Sequence, residues 1–153
     1  MAQEGAMSQE RDEMNRAIAS LVVPALRQRG FTGSFPHFRR LAGAKTDLLT
    51  FQFDRHGGGF VIEIAEAPVG PFTLPWGAKV LPARLTAHDM PPSQRSRVQP
   101  GSDGSTESWF RFDRGLSSSQ VAEQVISLLP QTDQWWLGSK NQVNIRPFTG
   151  AAT

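Results

Sequence analysis

Five arginines and one tryptophan are the side chains of this sequence best suited to hold a ligand or a partner protein. Arginine presents a planar fork of N–H donors that matches a carboxylate or a phosphate. Arginine and tryptophan are also enriched among the residues that dominate binding energy at protein interfaces. The candidate binding residues are Arg39, Arg40, Arg95, Arg97, Arg111 and Trp109. We predict no catalytic residue and no metal ligand.

Convergence of these arginines depends on the order of the strands. Arg39 and Arg40 lie on the first predicted strand and Arg111 on the fourth, while Arg95 and Arg97 lie in a long loop. If the first and fourth strands are neighbours, Arg39 or Arg40 and Arg111 could meet on one sheet face beneath that loop. We favour the alternative that the arginines form surface ion pairs of little energetic value. The partners would then be Asp47, Asp54, Glu63 and Asp113.

The segment His56–Gly59 has the composition of an esterase oxyanion loop. That chemistry also requires a serine on a Gly-x-Ser-x-Gly elbow, and the sequence contains no such elbow. A phosphate loop should lead into a helix, whereas these glycines lead into the apolar run Phe60–Ile62. We therefore interpret the segment as a hairpin turn in which glycine permits a positive φ angle.

Other polar residues could also carry chemistry, but a structural interpretation is favoured for each. Asp54 and His56 stand two residues apart at a hairpin end, where solvated polar residues are common. Glu63 and Glu66 could act as paired carboxylates in glycosidic chemistry, yet we expect Glu63 to lie on a solvated sheet face. The histidines are His37, His56 and His88. No two of them are spaced as metal ligands on one predicted helix or strand.

Composition excludes several classes of function. The chain has no cysteine, which excludes disulfides, thiolate metal sites and cysteine nucleophiles. Its 16 basic and 14 acidic residues give a net charge of only +2, and the positive charge is scattered, so nucleic-acid binding is not expected. The polar, acidic N-terminus is not a secretory signal, and no apolar run is long enough to cross a membrane. We expect a cytoplasmic protein without a cofactor.

Two amphipathic helices are predicted, one near each end of the chain. The first begins at the N-cap Ser8, and Gly30 terminates it. Pro24 should kink or restart it, because the proline ring would clash with the preceding turn. The second helix begins at Ser117 with Gln120 in a capping box and ends at Pro130. Beyond this helix, the side chains of Trp135 and Trp136 should fold back onto the core.

Alternating apolar and polar residues predict about four antiparallel strands between the helices. The predicted strands are Ser34–Leu41, Asp47–Asp54, Phe60–Ala65 and Trp109–Asp113. Pro36 cannot donate a ladder hydrogen bond, so the first strand should lie at an edge. Residues 68–108 form a proline-rich irregular loop, parts of which should pack or bind something, with a short strand within Lys79–Leu85.

These elements predict a single α+β domain at residues 8–137, following a flexible leader at 1–7. Both helices should pack on one face of an antiparallel meander and leave the other face exposed. Residues 138–153 form a polar tail in which Val143–Ile145 could add an edge strand. At 153 residues the chain suits one domain with a substantial core.

The order of several short segments resembles a known family. VVPALRQRGF, FRR, LLTFQFDRHGGGFVIEIA, RSR and WFRFD, followed by a closing helix, resemble the bacterial family called domain of unknown function 4304. The resemblance spans roughly Met14 to Trp136, and the sequence departs from the family pattern at Val98 and Gln99. This family has no established activity, so the resemblance implies a single α+β domain and adds no catalytic residue.

The leading hypothesis is a non-catalytic protein-interaction module, such as an immunity or antitoxin-like partner of a bacterial toxin or effector. It rests on a small domain without a catalytic constellation, an exposed sheet face and a long irregular loop. Near-neutral charge disfavours a basic nuclease as the partner. The alternative is a small anionic-ligand-binding protein or enzyme that uses the arginine cluster on the sheet face. Whether the arginines converge in a concave pocket discriminates between the two.

Overall fold

The chain begins with a long helical segment that a π turn divides. In the computed structural model, which describes residues 2–101 and 105–148, α1 (Ala2–Ala17) continues through the π turn Ile18–Val22 into α2 (Val23–Gln28). The prediction of Ser8 as the N-cap is therefore wrong, because the helix begins at Ala2 and residues 2–7 are helical.

The interruption predicted at Pro24 takes the form of this π turn. Pro24 lies in the first turn of α2, where the missing backbone N–H costs little. The wider turn directly before it accommodates the proline ring while the helix continues. Met14, Ile18, Val22 and Leu26 remain completely buried across the junction, so the apolar stripe predicted from the sequence is preserved.

Nine strands are present among the described residues, and seven of them form one antiparallel sheet. In chain order they are β1 (Thr32–Ser34), β2 (His37–Ala42), β3 (Lys45–Phe53), β4 (Gly59–Pro68), β5 (Phe72–Thr73), β6 (Lys79–Val80), β7 (Ser96–Val98), β8 (Phe110–Arg111) and β9 (Ile145–Pro147). The sheet order is β1-β2-β3-β4-β7-β9, and β8 pairs with the first residues of β4. The hairpin of β5 and β6 is separate.

The predicted meander is confirmed at its centre, but the number of strands is larger than predicted. A turn at Phe35–Pro36 splits the first predicted strand, so that β1 is the edge and β2 is interior. Only Phe110–Arg111 of the fourth predicted strand is paired, because β7 occupies the neighbouring stretch of β4. An edge strand near the predicted Val143–Ile145 is present, but it begins later, as β9, and shares only Ile145 with the prediction.

The closing helix, α3 (Ser118–Trp136), begins where the sequence predicts and ends later. Ser117 and Gln120 form the expected capping box, with reciprocal hydrogen bonds of 3.1 and 2.8 Å. Pro130 lies inside the helix, so its prediction as the helix end is wrong. Burial of Val125 and Leu129 before it and of the two indoles after it outweighs the one missing hydrogen bond.

Both helical segments pack on one face of the sheet, which we call the helix-covered face. Its core combines aliphatic side chains from the helices with a group of phenylalanines from the strands. Consecutive ring contacts at 5.0–6.0 Å between centroids join five of these phenylalanines. They are Phe38, Phe51, Phe60, Phe53 and Phe110. Packing of both helices on one face of the sheet is thus as predicted.

The opposite face, expected to be exposed, is covered by the irregular segment between β4 and β8, and we call it the loop-covered face. After the β5–β6 hairpin this segment forms 3-10 turns at Pro82–Arg84, Ala87–Asp89 and Pro92–Gln94 before it enters β7. Its apolar side chains bury a second, smaller core against the sheet. That core consists of Leu48, Ala65, Ala67, Leu85, Ala87 and Met90.

None of the helices in the described part of the chain combines the length and the apolar character needed to cross a membrane.

Candidate functional site

A row of polar side chains crosses the loop-covered face. His37 on β2 pairs with Thr50 on β3, and Thr50 pairs with Glu63 on β4. Glu63 pairs in turn with Arg97 on β7, and Arg97 pairs with Arg146 on the edge strand β9. Directly paired residues of neighbouring strands project from the same face, so these five side chains form one line, which we call the polar row.

Glu63 is the centre of the polar row and is only 1% exposed. Arg97 donates two hydrogen bonds to its Oε2 atom, from Nε at 3.1 Å and from Nη2 at 3.0 Å. The Oε1 atom lies 3.2 Å from His88 Nε2 and 3.6 Å from Arg95 Nη1. Both oxygens of this buried carboxylate thus face basic side chains.

The electrostatics of Glu63 follow from these contacts. Burial disfavours the charged form, but His88 and Arg97 outweigh burial and hold the pKa of the carboxyl below its usual range. Removal of one charged group from this network would destabilise the fold, because it would leave an opposite charge without compensation in a buried position. The expected solvated position of Glu63 is therefore wrong.

Arg95 and Arg97 are fixed by contacts other than Glu63. Arg95 donates from Nε to the carbonyl of Met90 at 2.8 Å and from Nη2 to the carbonyl of His88 at 3.0 Å. The guanidinium of Arg97 lies 4.3 Å from the ring centre of Phe148 and 5.6 Å from that of Trp109. Both arginines are thus held rigidly, and the loop backbone is tied to the sheet through them.

His37 and His88 approach each other at one end of the polar row. Their ring centres are 6.0 Å apart, and His37 Nδ1 lies 2.9 Å from the hydroxyl of Thr50. Burial lowers the pKa of His37, and His88 and Arg39 lower it further, although Asp89 opposes them. His37 therefore favours its neutral form in the folded protein.

A cleft of about 480 Å³ opens beside this network, between the β5–β6 hairpin and the turns before β7. We call it the hairpin groove. Its walls are mainly apolar, and its polar lining includes His88 and Arg95 from the network around Glu63. Trp76 stands at the hairpin tip with 76% of its surface exposed. The apolar walls include Phe72, Leu74, Met90, Pro91 and Pro92.

Three of the five arginines singled out in the sequence lie on the loop-covered face. Arg95 and Arg97 contact Glu63, and Arg39 donates from Nε to the carbonyl of Leu85 at 2.9 Å. Trp109 is buried beside Arg97. Convergence of the first and fourth predicted strands does not occur, because β3 and β4 separate β2 from β8.

Arg40 lies on the helix-covered face, because consecutive residues of a strand point to opposite faces. It belongs to a chain of ion pairs that joins α3 to β2, β3 and β4, and we call this chain the charge ladder. Its members, in order of contact, are Arg29, Asp133, Arg40, Asp47, Lys45, Glu66 and Lys140. Their N···O distances run from 2.6 to 3.2 Å.

The charge ladder has a structural role at the C-terminus of α3. Lys45 donates to the carbonyl of Trp136 at 2.6 Å, and Lys140 donates to that of Trp135 at 2.8 Å. Cations are favourable there, because the last carbonyls of a helix lack intrahelical partners. Burial opposes the charge on Lys45, but hydrogen bonds to Glu66 and Asp47 outweigh it and raise the pKa.

Arg111 forms a separate pair with Asp113, at 2.8 Å, against the turn that contains the consecutive glycines. A Cβ on Gly58 would lie 2.5 Å from that of Asp113, and a Cβ on Gly59 would lie 2.8 Å from Arg111 Nη1. None of Gly57, Gly58 and Gly59 has a positive φ angle, so that part of the turn prediction is wrong. Glycine is needed here because side chains approach the backbone closely.

The polar residues of the turn, Asp54 and His56, are joined through the backbone. Asp54 Oδ1 accepts a hydrogen bond from the backbone N–H of His56 at 3.1 Å, which closes the turn. Across residues 2–101 and 105–148, no group of three or more histidine and carboxylate side chains could hold a metal ion.

Sequence reasoning named Glu63 only as an ion-pair partner on a solvated face, and it placed neither His88 nor Trp76 beside the arginines. A signal for Glu63 was available, since β4 carries apolar residues on both faces: Ile62 and Ile64 on one, Val61 and Ala65 on the other. Apolar residues on both faces indicate a strand that is covered twice. Nothing comparable marked His88 and Trp76, because their positions depend on how an irregular loop packs.

A family model described as domain of unknown function 4304 matches residues 22–139, which include all of the hairpin groove. No curated protein and no solved structure matches the chain.

Proposed function

We propose that this chain, which belongs to the family called domain of unknown function 4304, is a non-catalytic protein-interaction module. It acts in the bacterial cytoplasm and holds a partner protein at the hairpin groove. A toxin or effector is the kind of partner for which a small binding domain of this sort is suited, in the manner of an immunity protein or antitoxin.

Exposure of Trp76 is the observation that carries this proposal. Its indole is 76% exposed at the tip of a two-stranded hairpin, directly beside an apolar cleft. Tryptophan that is anchored in a partner is a frequent source of interface binding energy. An exposed indole next to apolar walls is therefore a favourable surface for a protein to cover.

The arginines support an interaction role rather than a catalytic one. Each has an intramolecular partner: Arg95 and Arg97 contact Glu63, Arg39 contacts a loop carbonyl, and the others pair in the charge ladder or with Asp113. These contacts fix the loop and helices to the sheet. The network thus presents a rigid surface, and rigid surfaces bind with little loss of conformational entropy.

Affinity capture with variants of matched exposure tests the proposal. The wild-type protein, Trp76→Ala and Leu137→Ala are each used to capture proteins from a cytoplasmic lysate of a bacterium that encodes the chain. Leu137 is 79% exposed and lies after α3, away from the groove lining, so it controls for loss of a large apolar side chain. We expect a stoichiometric partner that Leu137→Ala retains and Trp76→Ala loses. Capture that survives Trp76→Ala, or no captured protein, contradicts the proposal.

A second candidate function is binding of a small anionic ligand. The observation in its favour is that Arg39, Arg95 and Arg97 share the loop-covered face and that Arg95 also lines the hairpin groove. In this case Trp76→Ala would abolish binding of a metabolite that the wild-type protein retains through purification, and no protein would be captured.

A further inference from the structure

The hairpin groove combines an apolar wall with a cationic base. Arg95 supplies the positive charge in its lining and His88 a ring N–H donor beside it, and Trp76, Phe72 and Met90 supply apolar surface. The acidic residue in the lining is Asp89. Its Oδ2 atom already accepts a hydrogen bond from the backbone N–H of Thr86, in the same turn, at 2.9 Å. The groove therefore offers one surface for an apolar group and another for a charged group of the same ligand.

Positive charge exceeds negative charge around the groove and the polar row. Within the groove lining and the polar row, the arginines are Arg95, Arg97 and Arg146, and the acidic residues are Glu63 and Asp89. Both Arg95 and Arg97 lie against the single charge of Glu63. The surplus suits an anion that enters from the open side of the groove.

Arg95 is arranged to receive such an anion. Its Nε and Nη2 atoms donate to the carbonyls of Met90 and His88, which fixes the plane of the guanidinium. Its Nη1 atom approaches Glu63 only to 3.6 Å, which is longer than a hydrogen bond. A guanidinium that is fixed in advance binds a carboxylate with little further loss of freedom.

We infer that the hairpin groove takes an extended peptide segment in which a carboxylate follows a bulky apolar side chain. The apolar side chain packs between Trp76 and the walls, and the carboxylate lies against Arg95 and His88. This inference rests on the proposed function and specifies the chemistry of the partner, which presents an acidic rather than a basic segment.

Two peptides that differ in one charge test the inference on the wild-type protein. Acetyl-Gly-Phe-Asp-Gly-amide and acetyl-Gly-Phe-Asn-Gly-amide are titrated into the ¹⁵N-labelled chain and followed by backbone-amide NMR. We expect the Asp peptide to bind about tenfold more tightly, because hydrogen bonds to charged groups are stronger than neutral ones. Shifts should concentrate at residues 72–76 and 88–95. Equal affinities, or shifts elsewhere, would overturn the inference.

Two arginine variants test whether Arg95 is the group that recognises the peptide carboxylate. In Arg95→Gln the preference for the Asp peptide should fall to about one, since the planar donor is gone. Arg114→Gln is the matched control, because Arg114 is exposed and pairs with Glu107 at 2.7 Å, away from the groove lining. Should Arg95→Gln fail to fold, the Asp/Asn comparison on the wild-type chain decides alone.

Failure of the inference and failure of the proposed function give different results. A partner captured through Trp76, together with equal binding of both peptides, overturns the inference and leaves the interaction module standing. Preference for the Asp peptide without any captured protein supports the inferred chemistry of the groove. That second result overturns the proposed function and favours a small carboxylate ligand.

Discussion

Glu63 is the residue on which the loop-covered face depends most. Its buried carboxylate lies within 3.6 Å of basic groups from β7, from the residue before β7 and from the 3-10 turn Ala87–Asp89. One side chain of the sheet thus connects three points of an otherwise irregular segment. Alternation along β4 gives the correct face for Glu63, but only the packing of the loop makes that face buried.

Neutralising this carboxylate should destabilise the fold strongly. We expect Glu63→Gln to lower the free energy of unfolding by about 3–5 kcal/mol, because it leaves the largely buried guanidinium of Arg97 without its counter-charge. Urea denaturation measures the change. Glu107→Gln is the control, since Glu107 forms an exposed pair with Arg114 and should have little effect. Equal stability of the two variants would show that Glu63 is not the centre of the network.

His37 should make the stability of the protein depend on pH. Its pKa is lowered by burial and by the neighbouring His88 and Arg39, so the folded state binds a proton less readily than the unfolded state. The contribution of neutral His37 to the free energy of unfolding is complete above the pKa of histidine in the unfolded chain, about 6.5. This contribution is lost as the pH falls through the lower pKa of His37 in the folded protein. We therefore expect the free energy of unfolding to fall from about pH 7 to about pH 5.

Two histidine variants assign that dependence. His37→Gln should make the free energy of unfolding less steep in pH over this range, as measured by urea denaturation at a series of pH values. His56→Gln removes an exposed histidine on the turn between β3 and β4 and should leave the slope as it is in the wild-type protein. An unchanged slope in His37→Gln would refute this assignment. Glu63 acts in a lower pH range, because its own pKa is lowered.

At the scale of elements, the turn between β3 and β4 shows why composition alone misleads. Consecutive glycines suggested a backbone with positive φ, whereas they leave room for Arg111 and Asp113 to lie against the strand. Both interpretations require glycine, and only the long-range position of β8 distinguishes them. Residues that follow Gly59 by about fifty positions cannot be placed there by a local pattern.

Gly58→Ala should therefore destabilise the turn by steric overlap. The new Cβ would lie 2.5 Å from the Cβ of Asp113, and we expect a loss of about 1–3 kcal/mol in the free energy of unfolding. In an Asp113→Gly background the same substitution should cost less, since the obstructing Cβ is absent. A double-mutant cycle by urea denaturation measures this coupling. Additive costs would contradict the overlap.

The elements that the sequence predicts well are those in which the apolar pattern repeats over many residues. The apolar stripe of the first helix and the alternation along β2, β3 and β4 are local patterns, and the structure confirms them. Strands of two or three residues, such as β7 and β8, carry too few positions to show a period. Their pairing depends on which part of β4 is free. Among the site residues, Arg95 and Arg97 were foreseen as candidates and Glu63 as an ion-pair partner, but the pair was expected at the surface and is instead formed by a buried carboxylate.

At the scale of the whole molecule, one sheet separates two cores of different kinds. Helices cover one face with a large aromatic core, and an irregular segment covers the other with a smaller core around Leu85 and Met90. Few regular backbone hydrogen bonds hold the irregular layer, so its attachment depends on side chains. We expect this layer to open at a lower free energy than the helical one.

Leu85→Ala should reveal that difference. Leu85 is completely buried in the smaller core, and its truncation should cost about 2–5 kcal/mol. Hydrogen exchange should increase first in residues 72–98, while α3 and the centre of β3 remain protected. Leu81→Ala is the control, because Leu81 is 59% exposed. A uniform increase across the chain would mean that the two layers open together.

Trp76 also gives the molecule an optical property that follows from its exposure. The chain contains four tryptophans and no tyrosine. Three of the indoles are at most 6% exposed, and that of Trp76 is 76% exposed. Dissolved iodide therefore has access to a single emitter, and the red-shifted, quenchable part of the ultraviolet emission comes from the hairpin tip. Loss of quenching reports occupancy of the groove without any added label.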